Sequence, residues 1–347
     1  MVPDSVINVE RAKNFTNILK NGDIQPVDVG DIIELRLPSL YDREKIKNAQ
    51  RFFRCNFYAM MFAMYLGVLS VLSIPSILNV LIHTNKSSSN VNAYKRYMRT
   101  IYHTLSWFRH DLTPGTKAWK SLEAVRKFHF SADRSAKHSN VGSISQKDMA
   151  ITQFGFMGFV VLSQKQLGIQ GSAKDLEDFC YFWKVLGTLV GIRDEYNLCC
   201  ETFEETRERL EIVQHEFFTP NLTNPPNEFE IMTKYIVNGL RCFDPFDSYN
   251  EIIFMLKRLS GVPNYFYLNS EIPENYEREN LEIYKYSYWD RFVIWLGIMT
   301  RQFLLRFFII RWFFNGIVHI SEFLIRYFPI IAFFKFGYKN SYVDLKT

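Results

Sequence analysis

"SAKDLEDFCYFWKVLGTLVG", residues 172–191, decides the secondary-structure class of this chain. Ser172 followed three residues later by Asp175 is a capping-box pattern, in which hydroxyl and carboxylate each satisfy a backbone N–H that a first helical turn leaves unpaired. Leu176, Phe179, Phe182, Trp183, Leu186 and Val190 then recur at helical spacing, and Gly191 is the residue type that ends such a run. The same grammar extends outward. "CETFEETRERLEIVQHEFF" (200–218) reads as a helix with a charged outer face, closed by Pro220, and "TPGT" (113–116) is a turn before the helix "KAWKSLEAVRKFHF" (117–130). "SSSNVNAYKRYMRTIYHTL" (87–105) passes from a polar loop into a helix bearing Arg96, Arg99 and Thr100. Strand patterns are scarce, no internal repeat occurs, and no strand–helix alternation implies a parallel sheet. The expected architecture is all-α: an N-terminal extension over 1–49, one large helical domain over 50–285, and a hydrophobic, basic tail over 286–347.

The 347 residues can bury a sizeable core, and 48% hydrophobic with 22% charged residues is a globular composition. Aromatics reach 16%, which suits a chain that encloses a flat ligand, meets a bilayer, or simply has an aromatic core. The opening "MVPDSVINVERAKNF" lacks a basic start followed by an apolar run, so a cleaved signal peptide is not expected. Cys55, Cys180, Cys199, Cys200 and Cys242 form an odd set without CxxC spacing, which points away from a disulfide framework or a zinc site.

Charge is unevenly placed. Residues 286–347 hold eight Lys and Arg against Asp290, Glu322 and Asp344, and 8 − 3 = +5 equals the net charge of the whole chain. The same tail holds 19 of the 57 aromatic residues. Arginines about every five residues among Trp, Phe, Leu and Ile resemble a surface at a membrane interface, where aromatic rings sit among headgroups and guanidinia meet phosphate. The longest charge-free run is about ten residues, short of the roughly 20 a span needs, so interfacial or monotopic attachment is expected, against the alternative of basic helices packed on the body. Residues 55–85 carry no charge and are long enough to span, but Pro75 and the Ser, Asn and Met content favour helices buried on all sides.

No GxGxxG, GxxxxGK[ST], GxSxG, HExxH or DxDxDG pattern is present, so nucleotide, acyl-hydrolase, zincin and EF-hand chemistry lack support. No basic-helix or RNP-like pattern indicates nucleic-acid binding. His129, set between Phe128 and Phe130, reads either as an ordinary core histidine or as a ligand in an apolar helical cavity.

Five segments in order carry a resemblance: "IPSILNVLIHT" (74–84), "RYMRT" (96–100), "GTKAWKSLEAVRKFH" (115–129), "SQKDM" with "ITQFGF" (145–149, 151–156) and "FWKVLGTLVGIRDEYN" (182–197). Together they resemble the ER-bound oxygenase mpaB/rubber oxygenase catalytic-domain family, which includes latex-clearing proteins, over about residues 50–240. The resemblance implies an all-helical domain with haem b in a buried pocket, dioxygen as co-substrate, and an unsaturated or isoprenoid lipid as substrate, at a membrane and in the endoplasmic reticulum. It places the proximal iron ligand at His129, catalytic roles at Arg96 and Thr100, and further cofactor contacts at Arg96, Arg99 and Arg126. Leu122, Val125, Phe128 and Phe130 are expected to keep the site dry.

Two features depart from that pattern. Rubber-cleaving members carry a carboxylate upstream of the arginine, whereas residues 45–110 here contain no Asp or Glu. Arg99 stands where some members have lysine, and an always-protonated guanidinium is a very poor iron ligand. The chain therefore reads as a haem-dependent lipid oxygenase or as a non-catalytic haem- or lipid-binding protein of the same fold. His83 and His103 read as core or helix-end residues, His110 as a turn residue, His319 as part of the tail, Asp148 as a capping residue, and Trp183, Gly187 and Gly191 as packing positions.

Overall fold

The computed structural model describes residues 9–27, 35–39, 41–273 and 276–344; residues 1–8, where the leader reading began, lie outside these. Its backbone pairing is helical, and the described residues contain no strand beyond one isolated bridge between Pro26 and Ser145. The helices are α1 (Val9–Asn21), α2 (Arg43–Cys55), α3 (Phe57–Val71), α4 (Pro75–His83), α5 (Asn90–Arg109) and α6 (Lys117–His138). Next come α7 (Gln146–Leu162), α8 (Gln164–Leu167), α9 (Ala173–Val190), α10 (Phe203–Val213), α11 (Thr219–Thr223), α12 (Phe229–Leu240) and α13 (Tyr249–Leu259). The tail forms α14 (Tyr288–Ile298), α15 (Phe308–Tyr327), α16 (Ile330–Phe336) and α17 (Tyr338–Ser341). Local chemistry sets the ends as expected: Ser172 and Asp175 exchange both capping-box bonds at α9, and Gly191 ends it at φ +103°.

The centre is the crossing of α3 and α7, two helices that are apolar all round and almost wholly buried. The uncharged segment 55–85 is thus largely interior, as its composition favoured. The helices meet at Gly67 and Gly155: a Cβ on Gly67 would overlap the Gly155 carbonyl, and one on Gly155 would sit 2.8 Å from Val71 Cγ2. α2 enters α3 through a 95° bend at Asn56. The buried Asn56 amide fixes that bend, donating to the Phe52 and Gln170 carbonyls and accepting from Gln170 N–H at 2.8 Å.

The N-terminal segment joins this body. Phe15 and Leu19 of α1 are buried in the core, and the sequence boundary at 49/50 falls inside α2. The tail is held along one side. Arg301, in a π-helical turn after α14, pairs with buried Glu251 at 2.6 Å and lies 3.5 Å from the Phe62 ring. α15 turns Val318, Glu322 and Ile325 inward, and Glu322 accepts two 2.6 Å bonds from Arg109. Asn315 accepts from Tyr58 N–H and donates to the Cys55 carbonyl. α17 reaches α5, where the Tyr94 hydroxyl donates to the Ser341 carbonyl at 2.7 Å. The other face is bare, with Trp312 70% and Phe334 80% exposed. The tail thus packs on the body along one side and leaves an aromatic face outward on the other. Folded as one 20-residue helix, α15 is by length and composition able to cross a membrane, which the charge-free run had not indicated.

Gly67→Ala should destabilise the protein by about 1–3 kcal/mol through overpacking at the crossing, whereas Gly316→Ala, with nothing within 4 Å, should be neutral or stabilise by up to about 1 kcal/mol. Denaturant unfolding of the two variants checks this.

Candidate functional site

Helical spacing on α5 puts Arg96, Thr100, His103 and Trp107 on one face, and on α6 it does the same for Val125, His129 and Ala132. These two stripes face a common cavity of about 530 Å³, completed by Phe156 of α7 and Trp183 of α9. Arg96, Arg99, Thr100 and His129 are thus brought together, as the sequence placed them. Arg126 lies outside the lining. Of the four residues expected to shield the site, Val125 lines the wall, Phe128 stands half exposed at it, and Phe130 and Leu122 are not part of it. Trp107, Phe156 and Trp183 supply most of the aromatic wall instead.

Arg96 is the most telling side chain. Its Nε is buried and meets no hydrogen-bond acceptor among the described residues, and its guanidinium lies 5.7 Å from the Tyr97 ring. A buried donor without a protein partner marks a place where a ligand or water completes the site. The Thr100 hydroxyl donates to the Arg96 carbonyl at 3.3 Å, and Arg99 Nε donates to the Asp344 carbonyl at 3.4 Å, so Arg99 is drawn toward the C-terminal segment.

His103 also faces the cavity, although it reads as a core histidine in the sequence; the face-sharing positions 96, 100, 103 and 107 were the available signal. Its Nδ1 lies 2.7 Å from the Ser121 hydroxyl, which also accepts from Trp107 Nε1 at 2.9 Å. Burial, reinforced by Arg99, lowers its pKa to about 4, so it is neutral at physiological pH. His83 lies outside the cavity and pairs with Ser135, while His110 serves its turn through the Ser106 carbonyl.

Asp148 lines the cavity as well as capping α7, accepting from the Ser76 hydroxyl at 2.7 Å and from Ser145 N–H. Burial raises its pKa, and those bonds oppose the rise. Trp183 and Gly187, assigned to packing by sequence, line the cavity too; Gly187 also packs closely, since a Cβ there would lie 2.7 Å from Gln153 Nε2. No group of three or more His, Cys, Asp or Glu capable of holding a bare metal ion occurs among the described residues. A smaller cavity of about 90 Å³ shares Val68, Tyr97, Thr100 and Phe156 with the large one and runs under α15 to Val318.

Because folding lowers the His103 pKa, protonation favours the unfolded chain, and stability falls as pH drops from about 6.5 toward 4. At about 1.4 kcal/mol per unit, the loss from this residue approaches about 3 kcal/mol. Unfolding measured at pH 7 and pH 4.5 should show a smaller drop for His103→Gln than for the parent.

Residues 54–229, just over half of the chain, match the family described as ER-bound oxygenase mpaB/B'/rubber oxygenase, catalytic domain. Among solved structures, latex clearing protein LCP in its closed state is similar at a TM-score of 0.55 and 15% identity, over 92% of this chain and 87% of that one. That likeness carries the all-helical fold. No curated protein sequence matches. With more than half its length matched by the family, the chain belongs to the ER-bound oxygenase mpaB/B'/rubber oxygenase catalytic-domain family.

Proposed function

We propose that the protein is a haem-dependent oxygenase that uses dioxygen on an unsaturated or isoprenoid lipid at a membrane, with the endoplasmic reticulum as the compartment that its family's description supports. The observation that carries this reading is the apolar cavity with His129 on one helical stripe and Arg96, its Nε buried and unsatisfied, on another. The residues present fit haem b. The volume is in the range of roughly 300–1,000 Å³ usual for such sites, aromatic walls suit a flat ring, and Lys95, Arg96 and Arg99 border the space where carboxylates on a ring edge would need cations.

Haem, when bound, supplies the iron at which dioxygen is activated. His129 would hold the iron through an imidazole nitrogen. Arg96 supplies a fixed positive charge for negative charge developing on oxygen, and low surrounding dielectric strengthens that effect. Thr100 lies one turn along and holds the Arg96 carbonyl. Neutral His103 adds no further positive charge beside the arginines. Trp107, Phe156 and Trp183 exclude water. Arg126, also on α6, lies outside the lining of the cavity.

The outward face of α14–α16 is the surface by which the protein meets lipid. Exposed Trp289, Trp295, Trp312, Phe313 and Phe334 suit the headgroup and upper acyl region, while α15 remains tied lengthwise to the body by Asn315 and Glu322, a monotopic rather than spanning arrangement. One observation favours a second reading, a non-catalytic haem- or lipid-binding protein: Asp148, the carboxyl on the large cavity, is already committed to Ser76 and Ser145. Oxygen uptake on adding an unsaturated lipid to the haem-loaded protein separates the two.

His129→Ala should remove the Soret band or sharply lower haem content while leaving helical circular dichroism intact; an unchanged spectrum would return His129 to an ordinary structural role. Arg96→Ala should retain haem and lose at least about tenfold in oxygen affinity or turnover. Replacing Trp312, Phe313 and Phe334 together by Ser should weaken flotation with phospholipid vesicles, and undiminished flotation would place the attachment elsewhere.

A further inference from the structure

The smaller cavity carries chemistry that the large one does not. It lies between α3, α5 and the connection from α12 to α13, is mostly apolar, and counts Tyr65, Asp244 and Asp247 among its lining. The Asp244 carboxylate accepts from Phe246 N–H at 3.1 Å and so serves its own turn. Asp247 is different. Arg241 Nε donates to its backbone carbonyl at 2.9 Å, and Arg301 Nη1 is given to Glu251, so neither guanidinium pairs with the Asp247 carboxyl. Among the described residues no donor reaches those carboxyl oxygens. The Tyr65 hydroxyl lines the same space, is buried, and has no hydrogen-bond partner among the described residues. The buried Tyr65 hydroxyl left open toward this cavity costs about 1–3 kcal/mol unless something occupies the space, and the half-buried Asp247 carboxyl beside it offers an acceptor.

We propose that this side cavity holds the hydroxyl-bearing end of the apolar substrate, so that the substrate class is an isoprenoid or other long-chain alcohol, with Asp247 and Tyr65 hydrogen-bonding its oxygen. This rests on the lipid reading of the large cavity. The space, worth about three waters at roughly 30 Å³ each, admits a chain terminus and no ring system. Tyr97, Thr100 and Phe156 border both cavities, and in this proposal the rest of the chain passes between them into the large one.

Charge selects a neutral end group. The ionisable groups felt by Asp247 are Asp244 and Glu251 on the acidic side and Arg301 and Arg241 on the basic side, with Tyr65 beside it. Three carboxyls against two guanidinia give 3 − 2 = 1 excess negative charge, which one proton neutralises. Burial, then Asp244 and Glu251, push the Asp247 carboxyl well above the usual range, so that proton settles there. A neutral carboxyl donates and accepts, as a hydroxyl does. A carboxylate ligand would meet three acids, and an ammonium would have to enter beside the buried Arg301 and the half-buried Arg241.

Isothermal titration of the detergent-solubilised full chain with farnesol, the hydrocarbon farnesene and farnesylamine tests this. The parent should bind the alcohol at least about tenfold more tightly than the hydrocarbon, the scale of one well-made buried hydrogen bond, and more tightly than the amine. Asp247→Leu and Tyr65→Phe should each shrink the alcohol-to-hydrocarbon ratio to within about threefold while leaving hydrocarbon binding unchanged, and Asp247→Asn should keep most of it. Equal binding of alcohol and hydrocarbon by the parent, tighter binding of the amine, or a preference that survives both Asp247→Leu and Tyr65→Phe overturns the proposal. A Soret band recorded on the same sample separates the two readings: alcohol preference without haem removes only the haem oxygenase reading, and haem without alcohol preference removes only this one.

Discussion

The contact between Gly67 and Gly155 is the constraint from which both cavities follow. Two helices that are apolar on every side can be buried only at the centre of a protein, and here their backbones touch because neither glycine carries a Cβ. The residue next to each glycine, Val68 on α3 and Phe156 on α7, lines both cavities. The crossing is therefore also the partition. Moving the helices apart by one methyl group would shift the wall of each cavity at once, since packed interiors pass displacement on rather than absorb it.

Around that apolar centre, charge is admitted only on terms. Arg301 is matched by Glu251, and Arg109 by Glu322, each over hydrogen-bonded distances of 2.6 Å. Removing one partner from the fully buried Arg301–Glu251 pair strands the other charge and costs about 3–5 kcal/mol, whereas the exposed Arg109 makes its pair with Glu322 worth less. These pairs do more than neutralise, because they fasten the tail to the body: Arg301 anchors the end of α14 onto α13, and Arg109 anchors α15 onto α5. Arg96 Nε and the Asp247 carboxyl stand outside this economy of pairs, one on each cavity. Polar groups that a fold leaves unsatisfied in its interior are where ligands are recognised.

α15 has two unlike sides. Val318, on the inward face of α15, lines the smaller cavity, while Trp312 and Phe313 of that helix point outward. One helix thus has a cavity on one side and a bare aromatic surface on the other.

The sequence by itself determined the helices, because capping residues, apolar spacing and terminal glycines act within one or two turns; the capping box at Ser172 and the stop at Gly191 were legible for that reason. Helical periodicity, being local, also put Arg96 and Thr100 on one face, and both line the large cavity. What surrounds those faces was not legible. Phe130, adjacent to His129 in sequence, points away from the cavity, whereas Trp183, more than fifty residues distant, forms its wall. The missing carboxylate shows the difference best. A count of residues 45–110 finds no acid, yet the fold brings Asp244 and Asp247 from the connection beyond α12 to a cavity that shares Thr100. Chain proximity fixes what a helix is and which side of it is apolar. Only the packing of helices far apart in sequence decides what that side faces, because burial is a property of the assembled whole and no local pattern encodes its partner.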